Sequence, residues 1–277
     1  MRLRRLLLDR LLIGLCLVAV VVAVVPLVSV VYYVTEKGLP AINLNFFTQL
    51  PPLANTPGGG MGGPIQGTLI LVGLSALIGI PIGLLSGVYT AEYGDNWYGS
   101  TVRFLGDVLA GIPSIVTGIL AYVLIVVPLH GFSVTAGSVA LGTIMIPIVS
   151  NTSSQALMAV PNSIREASTA LGSRKWRTVL EVVANAKSGI ATACLLAIAR
   201  ITGETAPLIL TSGISTYWFR GFNEPVGTLT YYVYYFATSP FANWRGLAWG
   251  AALILMVIVL GINIAVRVVT RGKKAYS

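Results

Sequence analysis

The sequence predicts an all-α membrane protein with six transmembrane helices and both termini on the cytoplasmic side. Composition is the first reason. Of 277 residues, 55% are hydrophobic and 10% charged, too little polar surface to clothe a soluble globule of this size, so much of the exterior must face hydrocarbon. Length is the second, because a hydrocarbon core about 30 Å thick takes about 20 apolar residues in helix. Windows of that length recur six times along the chain. The third is the alternation of Lys and Arg across those windows, which sets the orientation.

The first span is placed at 11–34. Its basic start resembles a signal peptide, but the apolar run is too long and no small-x-small cleavage site precedes Pro26 and the tyrosines. It reads as a retained anchor. An external loop follows at 35–64, where Pro51-Pro52 and Pro57-Gly58-Gly59-Gly60-Met61-Gly62-Gly63-Pro64 oppose helix, because proline lacks the donor and glycine loses too much entropy. The second, third and fourth spans are placed at 65–91, 102–128 and 133–158. A cytoplasmic loop occupies 159–188, the fifth span 189–212, an external segment 213–246 and the sixth span 247–269, all in one transmembrane domain.

With that topology, Arg2, Arg4, Arg5, Arg10, Arg103, Arg165, Arg174, Lys175, Arg177, Lys187, Arg267, Arg271, Lys273 and Lys274 fall on the N-terminal side, against Lys37, Arg220 and Arg245 outside. Tyr32 and Tyr33 mark one interface, and Tyr93, Trp97 and Tyr98 the other. In the second external segment Tyr231-Tyr232-Val233-Tyr234-Tyr235-Phe236 reads as a short interfacial helix or re-entrant turn, either a cap on the outer mouth or an anchor.

Several function classes are disfavoured. The net charge of +9 comes from clusters beside apolar runs and not from one continuous stripe, which fits an anionic lipid surface and argues against nucleic acid. Cys16 and Cys194 share no metal-ligand spacing with each other or with His130, so no metal is expected and both read as core thiols. No phosphate-cradling glycine loop occurs: Gly272-Lys273-Lys274 lacks both its spacing and its hydroxyl. The chain is therefore expected to bind no cofactor and to catalyse no reaction, drawing its energy from an ion gradient or from a partner.

The cytoplasmic loop is the place to look for such a partner. Ser163-x-x-Glu166 reads as a capping box that starts a two-turn helix, and Gly172 stands where a left-handed cap would end it. Ile164, Ala167 and Leu171 fall at i, i+3 and i+7, a narrow apolar face. A second, basic-headed helix is expected at 174–183. Two short helices are marginal in water and need something to pack on. They are either a plain connector or a docking surface.

The pattern Glu166-Ala167-Ser168-x-x-x-Gly172 followed by Val182 resembles the EAA loop of ABC-importer permeases. Ser168 replaces an alanine, and Ala184-Asn185 stand where that pattern has Leu-Pro. Three further segments resemble the phosphate-transport permeases of the PstA group: Gly62-Gly63-Pro64-Ile65-Gln66-Gly67-Thr68-Leu69, Gly111-Ile112-Pro113-Ser114-Ile115-Val116 and Ala199-Arg200-Ile201-Thr202-Gly203-Glu204-Thr205-Ala206-Pro207-Leu208. The resemblance implies a type I importer (MetI-like) fold in a prokaryotic inner membrane. It implies a sister permease (PstC-like), a dimer of ATP-binding subunits (PstB-like) that hold ATP and Mg, and an external phosphate-binding protein (PstS-like). It also makes Ile164, Glu166, Ala167, Leu171 and Gly172 the ATPase-coupling residues.

The fifth span fits an oxyanion on its own terms. An isolated charge at lipid depth costs roughly 2.5–3.5 kcal/mol on insertion scales, and Arg200 and Glu204 at i and i+4 are spaced to share that cost by pairing. The guanidinium fork suits two oxygens of one phosphate. Pro207 cannot donate to Gly203, which predicts a bend, and Thr202 and Thr205 add hydroxyls. The expected pathway residues are thus Arg200, Glu204, Thr202, Thr205 and Ser114, with a structural Arg200–Glu204 lock as the other reading. Ser114 could instead bond back to its own helix. Asp107 is expected to pair with Arg103. Two alternative functions stay open: a permease for sulfate, molybdate or another oxyanion, and a gradient-driven secondary transporter or channel.

Overall fold

The computed structural model describes residues 2–271, apart from the side chains of residues 2–8, 266 and 269–271. Of the basic residues in the charge pattern, Arg2, Arg4, Arg5, Arg271, Lys273 and Lys274 therefore lie outside the described side chains. The described residues form helices and turns only.

Helix α1 (Arg2–Gly38) runs on through a single 3-10 turn, Leu39–Ala41, toward α2 (Leu44–Thr48). The apolar side chains of α1 are exposed from Leu11 to Tyr33, and it packs on the chain near its C-terminal end. There Gly38 lies so close to Trp249 that a Cβ would meet its carbonyl at 2.7 Å, and Tyr33 meets the Trp249 ring edge-on at 5.4 Å. Helix α3 (Gly62–Glu92) starts inside the glycine run that the sequence assigns to loop. Pro64 sits in its first turn, where a missing N–H costs nothing, and Gly62, Gly63 and Gly67 are buried against Phe47, Leu50, Tyr217, Trp218 and Gly227.

The expected third span at 102–128 is not one straight helix. Helix α4 (Trp97–Gly111) ends at Ile112-Pro113, and α5 (Ser114–Ala121) leaves at 102° to it, continuing through a π-turn at Tyr122–Val126 into α6 (Val127–Leu129). Proline at the corner explains the break: it cannot donate to the preceding turn, and it disfavours helical backbone in the residue before it. Ile112 accordingly adopts extended backbone.

Helix α7 (Val134–Met158) lies parallel to α3 along a seam of small residues, pairing from Ser75 with Ser138 to Thr90 with Ser154. A Cβ on Gly79 would meet that of Met145 at 2.8 Å, and one on Gly83 would meet the Ile146 carbonyl at 2.7 Å. Hydroxyls stitch the same seam, Ser75 donating to the Ser138 carbonyl at 3.1 Å and Ser86 pairing with Ser150 at 3.0 Å. Apolar side chains are as content in lipid as in a helix interface, so close backbone approach and interhelical hydrogen bonds hold such a pair.

Past α8 (Asn162–Ala170), helix α9 (Lys175–Thr202) is continuous. The expected short helix at 174–183 and the fifth span are one element, and Ala184-Asn185, lacking the proline of the EAA pattern, lie inside it without a turn. Asn185 donates to the Glu181 carbonyl one turn back at 2.8 Å. The chain breaks at Gly203–Thr205 and resumes as α10 (Ala206–Thr211). The aromatic run forms α11 (Leu229–Ala237), with Tyr232 and Phe236 buried, and α12 (Ala242–Arg271) completes the fold. Among the described residues, five helices are long and apolar enough to cross a membrane, and the bent pair of Trp97–Gly111 with Ser114–Leu129 makes up to six.

Candidate translocation site

The corner between α4 and α5 opens a cavity of about 280 Å³ lined by Leu109, Ala110, Ile112, Pro113, Ser114, Ile144, Pro147, Ile148 and Arg200. Three elements meet there. The bend supplies Pro113 and the first residue of α5, α7 supplies a wall containing its own proline, and α9 supplies Arg200 two residues before its end. Gly118 holds α5 close enough to α10 that a Cβ would meet the Pro207 Cα at 2.7 Å.

Arg200 is exposed on this chain, and its charge meets no carboxylate within 4.0 Å among the described residues; the ion pairs found there are Glu36–Lys37 and Glu92–Arg165. The expected Arg200–Glu204 pair is not formed. Its physical reason is the break: Gly203 ends α9, and Glu204 is already outside the helix, so the i, i+4 relation no longer brings the two side chains together. Glu204 is instead engaged through its backbone, its carbonyl accepting from the Thr230 hydroxyl at 3.0 Å and its N–H donating to Ile201.

The expected threonines do not join the cavity. Thr202 is buried and spends its hydroxyl on the Ile198 carbonyl at 2.7 Å, and Thr205 leads into α10 without capping it by its side chain. Ser114 does join it. Its hydroxyl makes no bond back to its own helix among the described residues, and the N-terminal end of α5 opens on the cavity at that position. Partial positive charge at that helix end and the Arg200 guanidinium therefore share one space. Asp107 and Arg103 line a second polar cleft but form no ion pair; Arg103 donates to the Thr90 carbonyl at 3.4 Å.

Helix α8 differs from the sequence reading in two ways and agrees with it at Gly172. Pro161 occupies the position before the first turn and no side chain caps the helix, so Ser163 and Glu166 form no capping box. Proline fixes the entry geometry and Asn162 already belongs to the helix, which moves Ser163 inside it. The face Ile164–Ala167–Leu171 is divided: Ile164 packs inward on Leu157, Val160, Val182 and Ala186, while Glu166 and Ala167 are exposed and Leu171 is 86% exposed. Gly172 has φ +73°. Its N–H reaches the Thr169 carbonyl at 2.9 Å and that of Ser173 the Ser168 carbonyl at 3.2 Å, the two bonds of a Schellman closure. Sequence reasoning missed Arg165 and Glu92, which bind each other between α8 and the C-terminal end of α3.

A family model described as the binding-protein-dependent transport system inner membrane component matches residues 79–275. The chain belongs to that family. Among curated relatives, this permease is 40% identical over 268 residues to the phosphate transport system permease protein PstA of Haemophilus influenzae, covering 96% of this chain and 95% of that one. It is 41% identical over 250 residues to PstA of Yersinia pestis, covering 90% and 85%, and 35% identical to the probable PstA of Methanocaldococcus jannaschii, covering 88% and 87%. Among solved structures it is similar to a permease chain of a bacterial alginate ABC transporter, with a TM-score of 0.64 at 16% identity over 93% of each chain. It is also similar to one of the methionine transporter MetNI in an inward-facing state, with a TM-score of 0.59 at 19% identity over 74% of this chain and 90% of that one. The fold is therefore that of an ABC-importer permease, and this family member is a multi-pass membrane protein.

Proposed function

We propose that the chain is the membrane-spanning permease subunit of an ATP-driven importer of inorganic phosphate. The observation that carries this reading is its similarity, from end to end and at 35–41% identity, to permeases named for phosphate transport. The chain supplies the path and the coupling surface, and a separate subunit hydrolyses ATP and holds its Mg. A sister permease of the PstC kind faces the exposed flank formed by α4, α5 and Arg200, an ATPase dimer of the PstB kind takes α8, and an external phosphate-binding protein of the PstS kind delivers the anion.

Arg200 is the phosphate contact in this reading. A guanidinium at membrane depth without a carboxylate must be met by water, substrate or partner chain, and its place in a cavity beside the α5 N-terminus supports an anion there. Ser114 contributes a free hydroxyl. Glu204, Thr202 and Thr205 act through the backbone break that aims Arg200. On the cytoplasmic side, Glu166, Ala167 and Leu171 present the exposed surface of α8, and Ile164 and Gly172 hold that helix at its angle.

Proteoliposomes test the assignment. Uptake of labelled phosphate should require ATP together with the ATPase, the sister permease and the binding protein, and this chain alone should give none. ATP-independent uptake by the purified chain would refute it.

A further inference from the structure

Arg165 and Glu92 form a part-buried, multiply bonded ion pair, and the reading above leaves them without a role. Glu92 is the last residue of α3, and its side chain is 1% exposed; that of Arg165, on α8, is 21% exposed. The guanidinium donates from Nη2 to Oε1 at 2.6 Å and from Nε to Oε1 and Oε2 at 3.2 and 3.4 Å. Its remaining donors go to the end of α7: Nη1 to the Val160 carbonyl at 2.7 Å and Nη2 to the Leu157 carbonyl at 2.9 Å, with Nη1 also 3.4 Å from the Asn162 amide oxygen. One side chain of α8 thus closes the cytoplasmic ends of both α3 and α7.

Neither partner has a cheaper place to be. A carboxylate at a helix C-terminus opposes the dipole, and a buried charge that loses its partner pays the full cost of its lost solvation. The pair therefore resists separation more strongly than an exposed contact would, and its bidentate geometry fixes angle as well as distance.

The same two helices are joined above it by the glycine and hydroxyl seam, including Thr90 donating to Ser154 at 3.3 Å, one turn from the ion pair. Higher on α7, Ile144, Pro147 and Ile148 form the wall that faces Arg200. In the other direction α8 leads through Gly172 into α9, which carries Arg200 itself, and one hydroxyl pair, Ser168 with Thr178 at 2.9 Å, supplements that joint.

We propose that Arg165 and Glu92 clamp α8 to the α3–α7 pair, so that displacement of α8 by the ATPase moves the α7 wall of the cavity relative to Arg200. The two are positioning residues: they touch no substrate and act through the helices they join. The inference rests on the reading that α8 receives the ATPase.

The complete importer in proteoliposomes tests it, with phosphate uptake and ATP hydrolysis measured together. Glu92→Gln keeps an acceptor and removes the charge, and Arg165→Lys keeps the charge and removes the fork. Both should assemble and hydrolyse ATP as the unaltered importer does, while phosphate moved per ATP falls about tenfold. Unchanged phosphate per ATP in both variants overturns the clamp. Absence of ATP-dependent uptake in the unaltered importer would instead strike the functional reading beneath it. The second measurement leaves the ion pair intact: spin labels on Tyr93→Cys and Thr169→Cys, with Cys16→Ser and Cys194→Ala, report the distance from α3 to α8. That distance should be the same without nucleotide and with ATP bound, and a shift between the two states overturns the proposal. If Glu92→Gln fails to assemble, the label distance decides alone.

Discussion

Arg200 stands on the exposed flank of α9 with a cavity in front of it and, among the described residues, no carboxylate within 4.0 Å. Replacing it with alanine removes the charge from a place where nothing in the chain depends on it for pairing, so Arg200→Ala should abolish phosphate uptake while the complex still co-purifies. Arg200→Lys should retain a small fraction of uptake, because an ammonium keeps the charge and lacks the fork. Both are read by uptake of labelled phosphate at matched expression. The residue was legible in the sequence as a charge where lipid should be. Its lack of a carboxylate partner was not legible, because pairing with Glu204 presumed a helix that Gly203 and Pro207 do not continue. Gly172 was legible too, as a glycine following a short polar helix, and its φ of +73° makes a second prediction. Gly172→Val should cost about 1–2 kcal/mol through a β-branched side chain in left-handed backbone. It should weaken co-purification with the ATPase; unchanged co-purification would mean that α8 does not present the docking surface.

Among elements, the α4–α5 corner and the α3–α7 seam decide where the cavity lies. The corner depends on Pro113, and Pro113→Ala should restore a donor and helical freedom to Ile112. Phosphate uptake should fall while the protein remains membrane-inserted, as fractionation and transport assays would report. Along the seam, Gly83→Leu must push against the Ile146 carbonyl and Val149, and overpacking of this kind costs about 1–3 kcal/mol. A lower melting temperature in detergent is the expected result. Hydropathy finds a span by composition and is blind to a corner within it, which is why 102–128 reads as a single helix in sequence. Pro113 signals the corner only to a reader who weighs one proline above twenty apolar neighbours. The Arg165–Glu92 pair left no local pattern at all: the partners are 73 residues apart, and only the return of α7 beside α3 brings them together. One sign was available, an acid ending an apolar run where the helix dipole disfavours it.

For the whole molecule, composition and the alternation of basic residues were enough to give a six-span reading, and the EAA-like loop and the Gly-Glu-Thr-Ala-Pro segment were enough to give the family. The exposed apolar length of α1 and the open flank at α4 and α5 describe a subunit built to lie against lipid and another chain. The proposed conduit makes its phosphate contact through Arg200 and takes its energy from another subunit. Its most direct test is phosphate uptake into proteoliposomes holding the complete importer, with and without ATP, for the unaltered chain and for Arg200→Ala. The account predicts accumulation only with ATP and only with the arginine present. Equal ATP-driven accumulation by Arg200→Ala, or accumulation without nucleotide, would contradict it.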